Sequence, residues 1–307
     1  MKGLELAKAY YETYGRPMIE EQFPQYQDRI AVGLVGHGSE CFGYDDEISA
    51  DHDYGPGFQL WLTEEDEREI GFKLFRAYSK LPKKFMGVSM QQLSHYGGDG
   101  RGVSTIKDFY QFYTGTGDVP KSLEDWLSIP PFYLAEATNG EVFADPLGEF
   151  SRIRKALMED CPEDVWLKRL ASELFYMTQT GQYNYSRCFA HGERGAAAIS
   201  LNDFAKHTVE ACYILNRKYS PYYKWSMRGL RELELLSDVA DDLEALLEFP
   251  YHLEDNVARI EAICQKVALQ LRKAGLVTCD GEYLEGYVYA INNKVKDGNL
   301  RNMPVML

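Results

Sequence analysis

The stretch from Gly36 to Gly57, GHGSECFGYDDEISADHDYGPG, constrains this chain most. Ile30-Ala31-Val32-Gly33-Leu34-Val35 leads into it, an apolar and β-branched run that predicts a buried strand ending at Gly36. Gly38-Ser39 follow at the expected strand-to-helix turn, where backbone N–H groups, a hydroxyl and a helix N-terminus can face a phosphate. After eleven intervening residues come Asp51 and Asp53, with His52 between them. On a second strand, period-two geometry puts both aspartates on one face and turns His52 away from them, as a structural histidine. Two carboxylates so close repel each other unless a divalent cation lies between them. Metal ligands on one side and a phosphate cradle on the other point to nucleotidyl transfer.

Gly38-Ser39, the gap and Asp51-His52-Asp53 resemble the Gly-Ser…Asp-x-Asp signature of the polymerase-β-like nucleotidyltransferases. The wider string is similar to the domain-of-unknown-function 4037 family, a branch of that superfamily. The likeness continues through Glu124-Asp125-Trp126-Leu127-Ser128, Thr138-Asn139-Gly140-Glu141-Val142-Phe143-Ala144-Asp145, Asp164-Val165-Trp166-Leu167 and Arg217-Lys218-Tyr219-Ser220-Pro221-Tyr222-Tyr223-Lys224-Trp225. The resemblance implies Mg²⁺ (two ions) on Asp51 and Asp53, with ATP or another nucleoside triphosphate as substrate. Gly38 would leave room for the phosphate chain and Ser39 would bind it.

A third carboxylate normally completes such a site. In aminoglycoside adenylyltransferases it sits on a later strand, comparable here to Val103-Ser104-Thr105-Ile106, which carries Ser104 where the acid is expected. Asp99, Asp108, Glu136 and Asp145 are alternatives, each equally suited to a solvated loop or helix cap. Asp45, Asp46 and Glu47 read as a solvated helix end.

The chain has 307 residues, 45% of them hydrophobic and 13% aromatic, enough for a substantial core. A net charge of −14 argues against nucleic acid or an anionic membrane as partner. Six scattered cysteines without a CxxC pair suggest reduced thiols, and neither a signal peptide nor a membrane span is apparent, so a cytoplasmic protein is expected.

Helical periodicity marks Gly3 to Tyr14, broken by Gly15, Pro17 and Pro24. Phe58–Leu62 reads as a strand, and Thr63 as the N-cap of a helix reaching Leu81. A Pro130-Pro131 interruption divides helical Trp126–Thr138, and Gly140 turns into a last short strand. From Pro146 onward helical patterning takes over: Gly148–Met158, Pro162–Gln179, Gly195–Arg217, Lys224–Leu247, His252–Ala274 and Tyr283–Lys296. The expected fold is α/β (α+β): a mixed-sheet catalytic domain over 1–146, then a helical bundle over 147–307.

In the helical half, Lys224 is the candidate to meet a triphosphate, with Tyr223 and neighbouring rings walling a base pocket. Arg187 is a second cationic candidate. Arg187 and His191 stand too close in sequence for the Arg–His pair of a ribonuclease site. The expected activity is transfer of AMP from ATP to a hydroxyl of a small molecule, with pyrophosphate released. A protein-modifying transferase and a catalytically weakened nucleotide-binding regulator are the alternatives.

Overall fold

The computed structural model describes residues 1–48, 55–89 and 100–307. The chain forms two compact units, Met1–Asp160 and Cys161–Leu307. The last helix before the boundary, α7 (Glu149–Glu159), therefore belongs to the first unit.

The first unit is built on a four-stranded mixed sheet. Its strands are β1 (Ala31–Leu34), β2 (Gln59–Leu62), β5 (Gly102–Thr105) and β6 (Glu141–Ala144), in the order β5-β2-β1-β6. β1 pairs antiparallel with β2 and with β6, while β2 and β5 run parallel, Trp61 opposite Ser104. β3 (Lys84–Phe85) and β4 (Val88–Ser89) form a separate hairpin.

Period two sorts the central strands onto two covered faces. Ile30, Val32, Phe58, Leu60 and Leu62 join Tyr10, Met18, Ile70 and Leu74 in one core, supplied by α1 (Gly3–Tyr10), α2 (Arg16–Gln22) and α3 (Glu64–Ser79). Trp61 faces the other way and stacks on Phe150 of α7 at 3.9 Å. Phe109 of α4 (Ile106–Thr114) meets the same indole edge-on at 5.4 Å. Burial on both faces explains why β1, and β2 after Gln59, read as continuous apolar runs rather than alternating ones.

α3 begins as expected, Thr63 Oγ1 accepting the Asp66 N–H at 3.1 Å. The N-terminal helix, however, does not stop at Gly15. It passes through a π-helical turn, Tyr11–Gly15, directly into α2. There the Arg16 N–H reaches five residues back to the Tyr11 carbonyl, a wider turn that carries the chain into Pro17 without the ring-to-carbonyl clash of an ordinary helix. Gly15 serves packing instead: a Cβ there would lie 2.4 Å from the Phe58 ring.

α5 (Leu123–Ser128) ends before the proline pair and α6 (Pro131–Thr138) begins on its second member, with Pro130 as N-cap. The second unit is all helical: α8 (Glu163–Met177), α9 (Ser186–Ala190), α10 (Arg194–Leu215), α11 (Tyr223–Leu230), α12 (Val239–Glu248), α13 (Leu253–Lys273), α14 (Glu285–Asn292) and α15 (Gly298–Asn302). α8 runs on through a second π-helical segment, Thr178–Tyr185, into α9. The helix expected over Lys224–Leu247 is two, because Asn216 holds the intervening loop from both sides. Its Oδ1 accepts the Leu235 N–H and its Nδ2 donates to the Leu235 carbonyl, both at 2.9 Å. Among the described residues no helix is long and apolar enough to cross a membrane.

Candidate functional site

β1 delivers the chain into a turn whose peptides are gripped one after another. Gln59 holds Val35, its Oε1 accepting the Val35 N–H at 2.8 Å and its Nε2 donating to the Val35 carbonyl at 2.9 Å. Asn139 does the same for Gly36, both bonds at 2.8 Å. Gly36 and Gly38 have φ of 116° and 107°, a region that side-chain-bearing residues avoid. Beneath them Gly140 (φ 64°) donates its N–H to the Cys41 carbonyl at 2.8 Å. A Cβ on Gly140 would lie 2.0 Å from the Leu34 carbonyl oxygen, so this position admits only glycine. Arg154 Nη2 then gathers the carbonyls of Thr138, Asn139 and Gly140 at 2.7, 3.1 and 3.3 Å.

Ser39 follows Gly38 as N-cap of a 3₁₀ turn, Glu40–Phe42, and its carbonyl accepts from the N–H groups of Phe42 and Tyr44. The helix expected to start here is therefore three residues long, and its aligned peptides are too few for a useful macrodipole. Glu40 turns inward to Arg101 Nη2 at 2.5 Å, both side chains nearly buried, which ties the turn to the segment entering β5. Asp45 is a further correction. It is buried, and its Oδ2 accepts the Gly3 N–H at 2.8 Å, capping α1. Asp46 accepts the Ile48 N–H at 3.0 Å, and Glu47 is exposed.

The candidate third acids separate clearly. Asp145 accepts from the N–H groups of Gly148 (3.2 Å) and Ser151 (2.7 Å), a helix-capping role. Asp108 lies exposed in the first turn of α4, below its cap Thr105. Ser104 occupies the β5 position opposite Trp61. Among the described candidates Glu136 alone meets the glycine turn: it is buried, with Oε2 2.7 Å from Nδ1 of His37, the residue between the two glycines. The ring of His37 lies edge-on to Phe112 at 5.5 Å and 5.7 Å from that of Tyr113. The Glu136 carboxylate raises the imidazole's pKa against the opposing effect of burial. A histidine between two glycines after a strand was the available sequence signal for this pair, and the Asn-Gly dipeptide ahead of β6 was the signal for the Asn139 brace.

Asp51, His52, Asp53 and Asp99 lie outside the described residues. Among the described residues no group of three or more His, Cys, Asp or Glu side chains is placed to hold a metal ion.

The remaining candidates belong to the second unit. Tyr219 stacks on Trp166 at 5.2 Å, and the Ser220 hydroxyl donates to Glu210 Oε1 at 2.5 Å, which anchors the segment before α11. Beyond that anchor Tyr223 and Lys224 are exposed at the start of α11, Lys224 Nζ lying 5.6 Å from the Trp225 ring centre. Arg187 is exposed and rests on the Tyr183 ring at 4.9 Å. Tyr183 lines a groove of about 280 Å³ together with Phe175, Tyr283, Glu285 and Val288.

No curated protein matches the chain. The structure is similar to that of a nucleotidyltransferase-like protein from Exiguobacterium sibiricum 255-15, at 10% identity over 88% of this chain and 78% of that one, with a TM-score of 0.37. The family described as Domain of unknown function (DUF4037) matches residues 126–226. That span holds Glu136, Asn139, Gly140 and Arg154, which meet or brace the glycine turn, as well as Tyr223 and Lys224. Over residues 126–226 the chain is thus similar to the DUF4037 family.

Proposed function

We propose that the protein is a metal-dependent nucleotidyltransferase that moves AMP from ATP to a hydroxyl of a small molecule. The observation that carries this reading is the braced turn Gly36–Ser39 at the end of β1, followed in sequence by Asp51 and Asp53. The turn leaves an exposed Gly38 and a half-buried Ser39 after a rigid strand, a suitable seat for a phosphate chain. Asp51 and Asp53 are hard oxygen donors suited to Mg²⁺. When bound, the ion would neutralise charge on the phosphates during transfer.

In the step itself the acceptor hydroxyl releases its proton to solvent as its oxygen forms a bond to the α-phosphorus. The bond from that phosphorus to the bridging oxygen breaks, and pyrophosphate leaves with the electron pair. Gly38 and Ser39 would hold the departing phosphates in place. Lys224, with Tyr223 beside it, would supply a positive charge from the helical unit, and Arg187 is a second such cation. A small-molecule acceptor rests on analogy with antibiotic adenylyltransferases.

A nucleotide-binding regulator is the second reading. It is favoured by Ser104 on β5 where an acid is expected and by the commitment of Asp145 to a helix cap.

Calorimetric titration of ATP, CTP, GTP and UTP with Mg²⁺, on the wild type and on Asp51→Asn/Asp53→Asn, tests both. Metal-dependent binding of one nucleotide, abolished in the variant, supports a nucleotide site, and pyrophosphate release with added acceptors then separates transferase from regulator. Failure of every nucleotide to bind overturns both readings.

A further inference from the structure

We propose, on the nucleotidyl-transfer reading above, that His37, presented between Gly36 and Gly38 and held at Nδ1 by the buried Glu136 carboxylate, is the cation that the glycine turn offers to the nucleotide's phosphate chain.

A phosphate seat needs positive potential, and the usual source at a strand-to-helix turn is the helix N-terminus. Here the helical piece after Ser39 is a three-residue 3₁₀ turn, so that source is weak. Among the described residues the other cations close to the turn are engaged within the fold, Arg154 by the carbonyls of Thr138, Asn139 and Gly140. Arg101 pairs with Glu40 at 2.5 Å, and Lys2 bonds the Gly43 and Asp45 carbonyls at 3.2 and 2.6 Å with the Asp45 carboxylate 3.6 Å away. His37 differs, because its side chain is 52% exposed while its partner Glu136 is 7% exposed. The acid is hidden and the imidazole faces out.

Imidazolium donates from both ring nitrogens. With Nδ1 turned to Glu136, Nε2–H is left for an external acceptor, and a phosphate oxygen is the acceptor the proposed substrate brings. The ring cannot swing away easily, since Phe112 and Tyr113 of α4 confine it. The groups facing His37 are Glu136 from α6, Tyr113 from α4 and Cys41 from the 3₁₀ turn, whose thiol donates to the His37 carbonyl at 3.4 Å. Burial raises the pKa of both the Tyr113 phenol and the Cys41 thiol, so each is neutral near pH 7. Among the described residues Glu136 is therefore the charged group that acts on the imidazole, and it favours the charged form. Glu136 is a positioning residue in this arrangement, and His37 is the one that meets the ligand.

The test is MgATP affinity between pH 6.5 and pH 9 for wild type, His37→Gln and Glu136→Gln. His37→Gln should bind about tenfold more weakly than wild type at the acid end, the worth of one charge-assisted bond, and equally at the alkaline end. Glu136→Gln should move the wild-type transition to lower pH, which a purely structural role would not do. Long-range ¹H–¹⁵N spectra of the wild type supply a readout independent of how the variants fold: the His37 Nε2 resonance should shift when MgATP is added. Equal affinity of His37→Gln at every pH, or an unmoved Nε2 resonance while MgATP binds, overturns the role of His37 and leaves nucleotidyl transfer standing. A wild type that binds no nucleotide at any pH overturns nucleotidyl transfer, and His37's role with it.

Discussion

Asn139 holds Gly36 from both sides, Oδ1 accepting its N–H and Nδ2 donating to its carbonyl, each at 2.8 Å. A single side chain thus continues the hydrogen-bonding ladder at the point where β1 leaves the sheet. Asn139→Leu would strand both groups of that peptide, at a cost of about 1–3 kcal/mol for each one left unsatisfied. Urea unfolding should show the loss of stability. Nucleotide affinity should fall with it, because the turn loses its fixed shape. A variant as stable as wild type would mean that water replaces the amide.

Glu40 and Arg101 form an ion pair with side chains only 10% and 4% exposed. Removing one partner leaves the other charge buried, so Glu40→Gln should destabilise by about 3–5 kcal/mol. The double variant Glu40→Gln/Arg101→Met should recover part of that loss, since no unpaired charge remains. A double-mutant cycle read by chemical denaturation measures the coupling, and additive effects would contradict it.

Burial pushes the Glu210 carboxyl up to about 7 from an ordinary 4.5, reinforced by Glu173 and opposed by the Ser220 hydroxyl, Arg169 and His207. With the folded pKa above the unfolded one, the native state holds a proton that the unfolded chain releases. Stability is therefore full below about pH 4.5 and declines up to about pH 7, by at most ~3 kcal/mol. Glu210→Gln, which cannot ionise, should flatten the pH dependence of Tm over this window. An unchanged pH profile would place the titration elsewhere.

Lys224 is exposed at the start of α11, so Lys224→Ala should alter stability by no more than about 0.5 kcal/mol. If its ammonium meets the triphosphate, MgATP affinity should fall about tenfold, the equivalent of a single charge-assisted bond. Titration calorimetry beside a melting curve separates the two effects. Unchanged affinity removes Lys224 from the site.

Much of the fold is legible locally. The apolar run ending at Val35 forms β1, and Thr63 caps α3 three residues ahead of Asp66. Both signals lie within a few residues of what they specify. The N-terminal helix shows the limit of such signals. Gly15 and Pro17 spell a break, yet a π-helical turn accommodates them, and Gly15 is needed for contact with Phe58 from a different element. Asp45 misleads in the same way: within an acidic run it looks solvated, but it caps a helix that begins 42 residues earlier.

The strand, the Gly-Ser turn, the spacing to Asp51 and Asp53 and the change to helical patterning after Pro146 can all be read from the chain alone. Each of these is written in residue types and short intervals. It takes the folded chain to bring Asn139 to Gly36 across 103 residues, to pair Glu40 with Arg101 across 61, and to single out Glu136, among the described candidates, as the acid beside the turn. Spacing along a chain does not specify which distant side chains meet. That depends on how β6, α6 and the segment entering β5 are packed around β1, where a buried polar group must find its partner wherever the fold provides one.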